Sequence, residues 1–403
     1  MIGIDNSSIL KKFSETMFWF GFFFLTLAFF YNRTIVSSLI TTNYFRNLLY
    51  GAAFFFVARI LTSQKYTTTQ IIFTIITIPI GVIVWNISQD RRLFILVLAI
   101  IACKDIAMSK IIRNNFILVL IFLLGIVSLA LMHKIPNLLY YRPDGTIRRA
   151  YGINYPTDFS AYISFLYISW CLIRREKFNI IDFFIGILLA LFIHIRIDAN
   201  LDTYIIFLTS FCFYLFNKFS EKISFKFLKK ISTFSFIIST VIILFLSYSY
   251  NINSSFFRSL NTALSNRLYL GNLSLHSYPF NIFGQFVDQL GLGGISGYYN
   301  NWSINAYFFI DSSYLRLLIM YGLSSFIIVY YIYFKLSQIF NTKNDYFLCL
   351  AIILVCIHGI VAQYLIEPSY NVLPLLLFAN YDFNNEIYRK KDGLIKRILT
   401  IIK

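Results

Sequence analysis

Long apolar runs separated by short polar segments dominate the pattern of this chain. The runs are about 15 to 22 residues long, and a helix of about 20 apolar residues crosses the hydrocarbon core of a bilayer. Their centres fall near positions 23, 53, 78, 99, 123, 166, 188, 210, 241, 322, 356 and 375. The pattern therefore predicts an all-α polytopic membrane protein with about twelve transmembrane helices. Because no repeat or linker divides the chain, residues 1–403 are interpreted as a single integral membrane domain.

Two longer segments interrupt the apolar pattern. The first covers residues 133–158, and the second, called the large loop here, covers residues 251–310. A loop as long as the second is usually functional or disordered when it occurs in a compact domain. Its composition is rich in Phe, Leu, Tyr and Gly and poor in charge, which is unlike a disordered segment. We therefore expect the large loop to fold and to carry the functional site.

Helical spacing is visible inside the large loop. Apolar residues from Phe256 to Leu268 recur once per helical turn, which predicts an amphipathic helix on the membrane surface. Arg258 and Arg267 would lie about half a turn out of phase on one continuous helix. They therefore cannot face one phosphate group together unless the helix ends before Arg267.

Composition agrees with a membrane protein and suggests its orientation. Charged residues make up 13% of the chain, well below the roughly 25% of soluble domains. The net charge is +17, but basic excess in a membrane protein first marks cytoplasmic loops, so we expect no nucleic-acid partner. With the N-terminus inside, most basic residues fall on the inner side, while residues 133–158 and the large loop fall outside.

The outer side is expected to bear arginine but almost no lysine. On this topology Lys134 is the only lysine outside. Arginine binds phosphate and carboxylate groups through paired hydrogen bonds, whereas lysine offers a point charge. The bias therefore favours an anionic ligand that approaches from outside, and the alternative is that arginine merely suits membrane interfaces. The outer arginines are Arg33, Arg46, Arg91, Arg92, Arg142, Arg148, Arg149, Arg196, Arg258, Arg267 and Arg316.

Four of these arginines are the candidates for substrate binding. Arg148 and Arg149 lie just before the sixth span, near the level at which a lipid-linked phosphate would sit. Arg267 lies in the large loop, and Arg316 lies about one turn inside the tenth span. Charge inside a bilayer is costly and usually functional. We therefore expect Arg267 and Arg316 to hold a diphosphate.

Acidic residues and one histidine complete the candidate site. His276 is ranked first as general base because imidazole titrates near neutral pH, and Asp311 is ranked second. Asp158 and Glu367 are further substrate-binding candidates, Glu367 being the only glutamate on the outer side. The alternative for Asp158 and Asp311 is that each caps the helix that follows it. No metal site is predicted, because the outer carboxylates lack the spacing of metal ligands.

The layout resembles the Wzy-type polysaccharide polymerases, which are similar in plan to the O-antigen ligases. The resemblance rests on the segment 149–157 before one span, on Arg267 with Gly284 in the large loop, and on the segment 311–316 with Gly322. It implies a glycosyltransferase-C-like helical fold and a metal-independent membrane glycosyltransferase without a cofactor. Such an enzyme joins oligosaccharide repeat units that are carried on undecaprenyl diphosphate.

The resemblance also implies a location and partners. The protein would be a multi-pass protein of the bacterial cytoplasmic (inner) membrane, with its active site facing the periplasm or cell exterior. Its partners would be undecaprenyl-diphosphate-linked oligosaccharide and membrane lipids, and a chain-length regulator protein is compatible with this role. Two alternatives stay open: a ligase that moves finished polymer to another acceptor, and a transporter of the lipid-linked sugar. The transporter is disfavoured because the charges crowd the outer loops rather than several spans.

Overall fold

The computed structural model describes residues 6–40, 43–62, 66–142, 144–219, 225–299 and 307–383. Seven helices in these ranges are long and apolar enough to cross a bilayer, which makes the protein a mostly helical membrane protein. They are Ile9–Asn32, Asn43–Thr62, Thr68–Ser88, Met108–Leu131, Ile180–Ile197, Lys226–Tyr248 and Ser313–Thr342.

The described helices alternate with short connections, and a single two-stranded hairpin accompanies them. The hairpin pairs β1 (Leu139–Tyr141) with β2 (Ile147–Arg149) in antiparallel fashion. The helices are α1 (Asn6–Asn32), α2 (Val36–Leu39), α3 (Asn43–Thr62), α4 (Thr68–Ser88), α5 (Arg92–Ala102), α6 (Met108–Leu131), α7 (Pro156–Arg174), α8 (Ile180–Ile197), α9 (Asn200–Phe219), α10 (Phe225–Tyr248), α11 (Ser255–Ala263), α12 (Arg267–Ser277), α13 (Gly294–Tyr299), α14 (Ser313–Arg316), α15 (Gly322–Thr342) and α16 (Tyr346–Gly359).

Local sequence signals set several of the helix starts. The Thr67 side chain accepts a hydrogen bond from the backbone N–H of Gln70, and the Gln70 side chain accepts one from the backbone N–H of Thr67. α4 therefore begins with a capping box. The same reciprocal arrangement of Asn179 and Asp182 begins α8. Pro156 occupies the first turn of α7, where its missing N–H has no helical partner to lose.

Short apolar helices form the centre of the bundle, and long ones surround them. α5 has 11 residues and α16 has 14, and most of their side chains are buried. Each is too short to cross the roughly 30 Å hydrocarbon core alone at 1.5 Å per residue. α4, α6 and α8 instead expose large apolar side chains on one face, as expected of helices that face lipid.

The apolar run near position 375 is not the transmembrane helix that its sequence predicts. Leu373–Phe378 is a 3₁₀ helix of six residues with Pro374 in its first turn. Leu375 and Leu376 are fully buried within the protein. The run is apolar because protein surrounds it on all sides, and a short apolar segment gives the same signal in lipid and in a protein core.

Arg59 fixes the end of α3 against two neighbouring segments. Its side chain is buried near the end of α3, where Nε donates to the carbonyl of Ala102 at 3.3 Å and Nη2 donates to that of Lys104 at 2.6 Å. Nη1 donates to Ser14 Oγ. The guanidinium therefore ties α3 to α1 and to the end of α5.

The large loop begins with two helices instead of the single amphipathic helix predicted. α11 ends at Ala263, and Ser265 and Asn266 adopt positive φ angles of 53° and 66° before α12 begins at Arg267. The first helix thus ends before Arg267. Arg258 and Arg267 therefore do not lie on one continuous helix, which was the condition for both to face one phosphate group. Residues 300–306 of the loop lie outside the described residues.

A close backbone approach joins the large loop to the helix that carries Arg316. The helix breaks between a π-helical turn, Leu317–Tyr321, and α15 at Gly322. A Cβ on Gly284 would lie 2.0 Å from the carbonyl oxygen of Met320, and a Cβ on Gly322 would lie 2.2 Å from Gly284 N. Only glycine fits at either position, and both have positive φ.

Candidate functional site

Eight ionisable side chains gather at the end of the bundle that carries the large loop, and we call them the charged cluster. They come from segments that are far apart in sequence: the ends of α1 and α4, the starts of α5, α7 and α12, both ends of α14, and the segment after a 3₁₀ turn at Tyr364–Ile366. The members are Arg33, Asp90, Arg92, Asp158, Arg267, Asp311, Arg316 and Glu367.

Glu367 is the centre of one half of the charged cluster. Arg33 Nε donates to its Oε2 at 3.1 Å, Arg33 Nη2 binds Oε1, and Arg92 Nη1 lies 3.0 Å from Oε1. Burial alone would raise the pKa of Glu367, but the two guanidinium groups outweigh it and hold that pKa below its usual range. Glu367 is therefore an ionised carboxylate that is fully occupied by its own chain.

Asp158 faces Glu367 across Arg33. Its Oδ1 accepts a hydrogen bond from the hydroxyl of Tyr364 and lies 3.8 Å from Arg33 Nη1. The alternative that Asp158 caps α7 does not hold, because Tyr155 occupies the cap position and Asp158 lies in the first turn. Its carboxylate therefore belongs to the charged cluster.

Asp90 joins the charged cluster to the π-helical turn. Its Oδ2 accepts a hydrogen bond from Tyr321 at 2.8 Å and lies 3.6 Å from Arg92 Nε. Its Oδ1 accepts the backbone N–H of Arg92 at 3.0 Å and so stabilises the first turn of α5. The short connection between α4 and α5 is thereby fixed against the helix that carries Arg316.

Arg267 and Asp311 form the most accessible ion pair of the charged cluster. Arg267 Nε lies 3.4 Å from Asp311 Oδ2, and the two side chains are 17% and 21% exposed. Burial lowers the pKa of Arg267, but Asp311 together with nearby tyrosines outweighs burial and raises that pKa above its ordinary value. Asp311 is not the cap of the following helix, because Ser312 occupies that position.

Arg316 is the one arginine of the charged cluster without a carboxylate within 4 Å among the described residues. It is only 4% exposed. Nε and Nη2 donate to the carbonyl of Ile310 at 3.1 and 2.9 Å, and Nη2 also donates to Gln289 Oε1 at 2.8 Å. The guanidinium lies 4.9 Å from the ring centre of Phe309. No hydrogen bond joins its Nη1 to the described part of the chain.

The charged cluster holds four arginines and four carboxylates, yet it does not pair them one to one. Glu367 takes two arginines, Asp90 shares Arg92, and Asp158 lies close to Arg33 alone. Arg316 lies within electrostatic range of Arg92, Arg33 and Asp90 but touches only neutral groups. A desolvated cation of this kind favours an anion from outside the chain.

Three of the residues predicted from the sequence lie elsewhere. Arg148 Nε donates to the carbonyl of Ile197 at 2.9 Å, so it completes the end of α8, and Arg149 follows it in β2 without an ion pair to a described residue. His276 is exposed in the last turn of α12, and its Nδ1 contacts the carbonyl of Asn272 at 2.8 Å. The structure thus brings together Asp158, Arg267, Asp311, Arg316 and Glu367 but not these three.

Arg33, Asp90 and Arg92 were missed as site residues, although both arginines belong to the predicted outer set. Each lies at the end of an apolar run, where interfacial charge is ordinary. The sequence carries no signal that separates the three from such interfacial charges. Among the described residues, no group of three His, Cys, Asp or Glu side chains has an arrangement that could hold a metal ion.

Comparison of the chain with protein-family models, with curated proteins and with solved structures finds no match.

Proposed function

We propose that this protein is a membrane glycosyltransferase that polymerises oligosaccharide repeat units carried on undecaprenyl diphosphate. The proposal rests on the resemblance in layout to Wzy-type polymerases together with the chemistry of the charged cluster. Transfer from a lipid diphosphate requires cations that hold the departing diphosphate and a base that accepts the proton of the attacking hydroxyl. The charged cluster offers both kinds of group.

The observation that carries the proposal is the state of Arg316. Arg33, Arg92 and Arg267 each lie within 4 Å of a carboxylate, whereas the hydrogen bonds of Arg316 to described residues go only to neutral oxygen atoms. A buried guanidinium that has no carboxylate within 4 Å among the described residues suits a diphosphate, and its Nη1 is left to donate to a diphosphate oxygen. Arg316 is therefore assigned to the donor diphosphate, with Arg92 nearby as the second cation.

Asp311 is assigned as the general base. It is the most exposed acidic member among the four carboxylates that form ion pairs in the charged cluster, and only Arg267 lies within ion-pair distance of it among the described residues. In the proposed step, a hydroxyl oxygen of the acceptor sugar attacks the anomeric carbon of the donor. The bond between that carbon and the diphosphate oxygen breaks, the electron pair leaves with undecaprenyl diphosphate, and the hydroxyl proton passes to Asp311.

The test uses purified protein in lipid nanodiscs and lipid-linked repeats extracted from a strain that lacks the gene. A ladder of saccharide lengths is expected without added divalent metal, whereas a ligase would transfer material without lengthening it. Transport of the lipid-linked sugar without a change in its length would contradict the proposal and favour the transporter.

Arg316→Lys sharpens the test, because lysine keeps the charge but not the planar guanidinium that the hydrogen bonds to Ile310 and Gln289 hold in place. Loss of one partner from a desolvated charge pair costs about 2–5 kcal/mol, so the rate is expected to fall roughly 30-fold to several-thousand-fold. Arg258→Lys is the matched control, since Arg258 lies on α11 and has no ion pair among the described residues. A normal ladder from Arg316→Lys would exclude the diphosphate role.

A further inference from the structure

We propose that Gln289 is a positioning residue that aims Arg316 and leaves its charge free for a phosphate group. The inference rests on the proposed function and extends it by explaining why Arg316 has no carboxylate within 4 Å in the described part of the chain. Gln289 lies in the large loop, 27 residues before Arg316, and is half-buried against it. No motif in the sequence singles it out.

The orientation of the Gln289 amide follows from its neighbours. Its Oε1 accepts the backbone N–H of Ile310 at 3.1 Å and Nη2 of Arg316 at 2.8 Å. Both neighbours are donors only, so the reversed amide would set a donor against two donors. Its Nε2 faces the sulfur of Met320 at 3.2 Å, a weak acceptor in the π-helical turn.

The backbone of Ile310 contacts both Gln289 and Arg316. Ile310 O accepts Nε and Nη2 of Arg316, while Ile310 N donates to Gln289 Oε1. Gln289, Ile310 and Arg316 therefore form a closed set of hydrogen bonds that fixes the plane of the guanidinium. This set occupies Nε and Nη2 and directs Nη1 away from the described partners, which leaves that nitrogen for a ligand.

A glutamate carboxylate would fit the position of the Gln289 amide, so the neutral side chain at this position bears on the charge of Arg316. Glutamate differs from glutamine by one atom, and in this place it would hold Arg316 as an ion pair at hydrogen-bond distance. Asp311 and Glu367 play that part for Arg267 and for Arg33 with Arg92. Because Gln289 is neutral, it does not balance the positive charge of Arg316. The guanidinium therefore suits an anionic ligand such as a phosphate or diphosphate group.

The test is anion binding by purified protein in detergent, measured by calorimetric titration with inorganic pyrophosphate and, separately, with farnesyl diphosphate. Wild-type protein is expected to bind both, and a preference for farnesyl diphosphate would identify the lipid-linked source. Gln289→Glu is expected to weaken binding roughly 30-fold or more, because it neutralises Arg316 without changing the shape of the side chain. Gln285→Glu is the matched control in the same loop, since Gln285 contacts Pro279 and Ile319 rather than Arg316.

Gln289→Met separates positioning of the charge from simple packing of the loop. Methionine has a similar length and no charge, so it removes the hydrogen bonds but leaves Arg316 uncompensated. If charge decides, Gln289→Glu binds more weakly than Gln289→Met; if packing decides, the near-isosteric glutamate binds at least as well as methionine. The second ranking, or wild-type protein that binds neither diphosphate, would overturn the inference.

The titration also keeps this inference separate from the proposed function. If diphosphate binding depends on Gln289 but the protein makes no polymer, the anion site is supported and the polymerase function is rejected. If Gln289→Glu makes polymer at the wild-type rate, the polymerase function is supported and the role of Gln289 is rejected.

Discussion

Two buried sets of charges lie at opposite ends of α7, and they are built differently. At one end Asp158 belongs to the charged cluster, and at the other Arg175 Nη1 contacts Asp345 Oδ2 at 2.6 Å. α7 has 19 residues, so about 25 Å separates the two sets. The pair of Arg175 and Asp345 is 5% and 1% exposed, and we call it the closed pair.

The closed pair satisfies its charges completely from within the chain. Asp345 Oδ1 accepts the backbone N–H of Leu348 at 3.1 Å as the cap of α16, and Oδ2 also accepts the hydroxyl of Tyr381 at 2.8 Å. One cation meets one anion, and each carboxylate oxygen has a donor. In the charged cluster, by contrast, no described carboxylate lies within 4 Å of Arg316, and Arg267 and Asp311 stay partly accessible. The contrast indicates that the closed pair serves folding, whereas the charged cluster is arranged for a ligand.

Asp311→Asn is expected to give the largest change in rate at the ligand end. Removal of a general base typically lowers a rate by about 10²–10⁴-fold, and asparagine preserves the size of the side chain. Because Asp311 is partly exposed, the amount of folded protein should stay close to that of the wild type. Ladder formation per folded molecule in nanodiscs measures the effect, and an unchanged rate would move the role of base to Asp158.

Asp345→Asn is expected to act on folding instead of rate. Asparagine keeps the capping hydrogen bond to α16, but Arg175 loses its anion, and an uncompensated buried charge costs about 3–5 kcal/mol. The thermal midpoint in detergent and the amount of folded protein should fall, while the rate per folded molecule stays unchanged. Loss of rate without loss of stability in Asp345→Asn would contradict the conclusion that the closed pair serves folding and the charged cluster serves a ligand.

Much of the architecture is predictable from apolar runs, but the arrangement inside the bundle is not. Run length identifies the long helices that expose an apolar face to lipid. It fails at Leu373–Phe378 because apolar residues look the same in a protein core and in lipid. Arg59 shows the same limit, because the carbonyl groups that accept its hydrogen bonds lie far away in sequence at the end of α5.

The site was predictable where a charge interrupts an apolar run. Arg316 was identified for that reason, and the structure places it in the charged cluster. Arg33 and Arg92 lie at the ends of runs, where arginine is ordinary, so their role emerges only from Glu367, which is 334 residues from Arg33 in the chain. Pairing between such distant positions depends on tertiary packing, which one sequence without relatives does not report.

His276 gives the smallest expected effect, although the sequence ranks it first as the general base. It lies near the far end of α12 from Arg267, about 14 Å along the axis, and its side chain is exposed. Its Nδ1 is held by the carbonyl of Asn272, and its ring lies 6.4 Å from that of Tyr248. These contacts are local to α12 and α10 and do not reach the charged cluster.

We therefore expect His276→Gln to change the rate of ladder formation by less than about two-fold, as is usual for surface substitutions. The rate of ladder formation per folded molecule measures the effect, with Asp311→Asn as the comparison. A fall of ten-fold or more in His276→Gln, at an unchanged amount of folded protein, would instead restore His276 to the chemistry and place the reacting hydroxyl at the far end of α12.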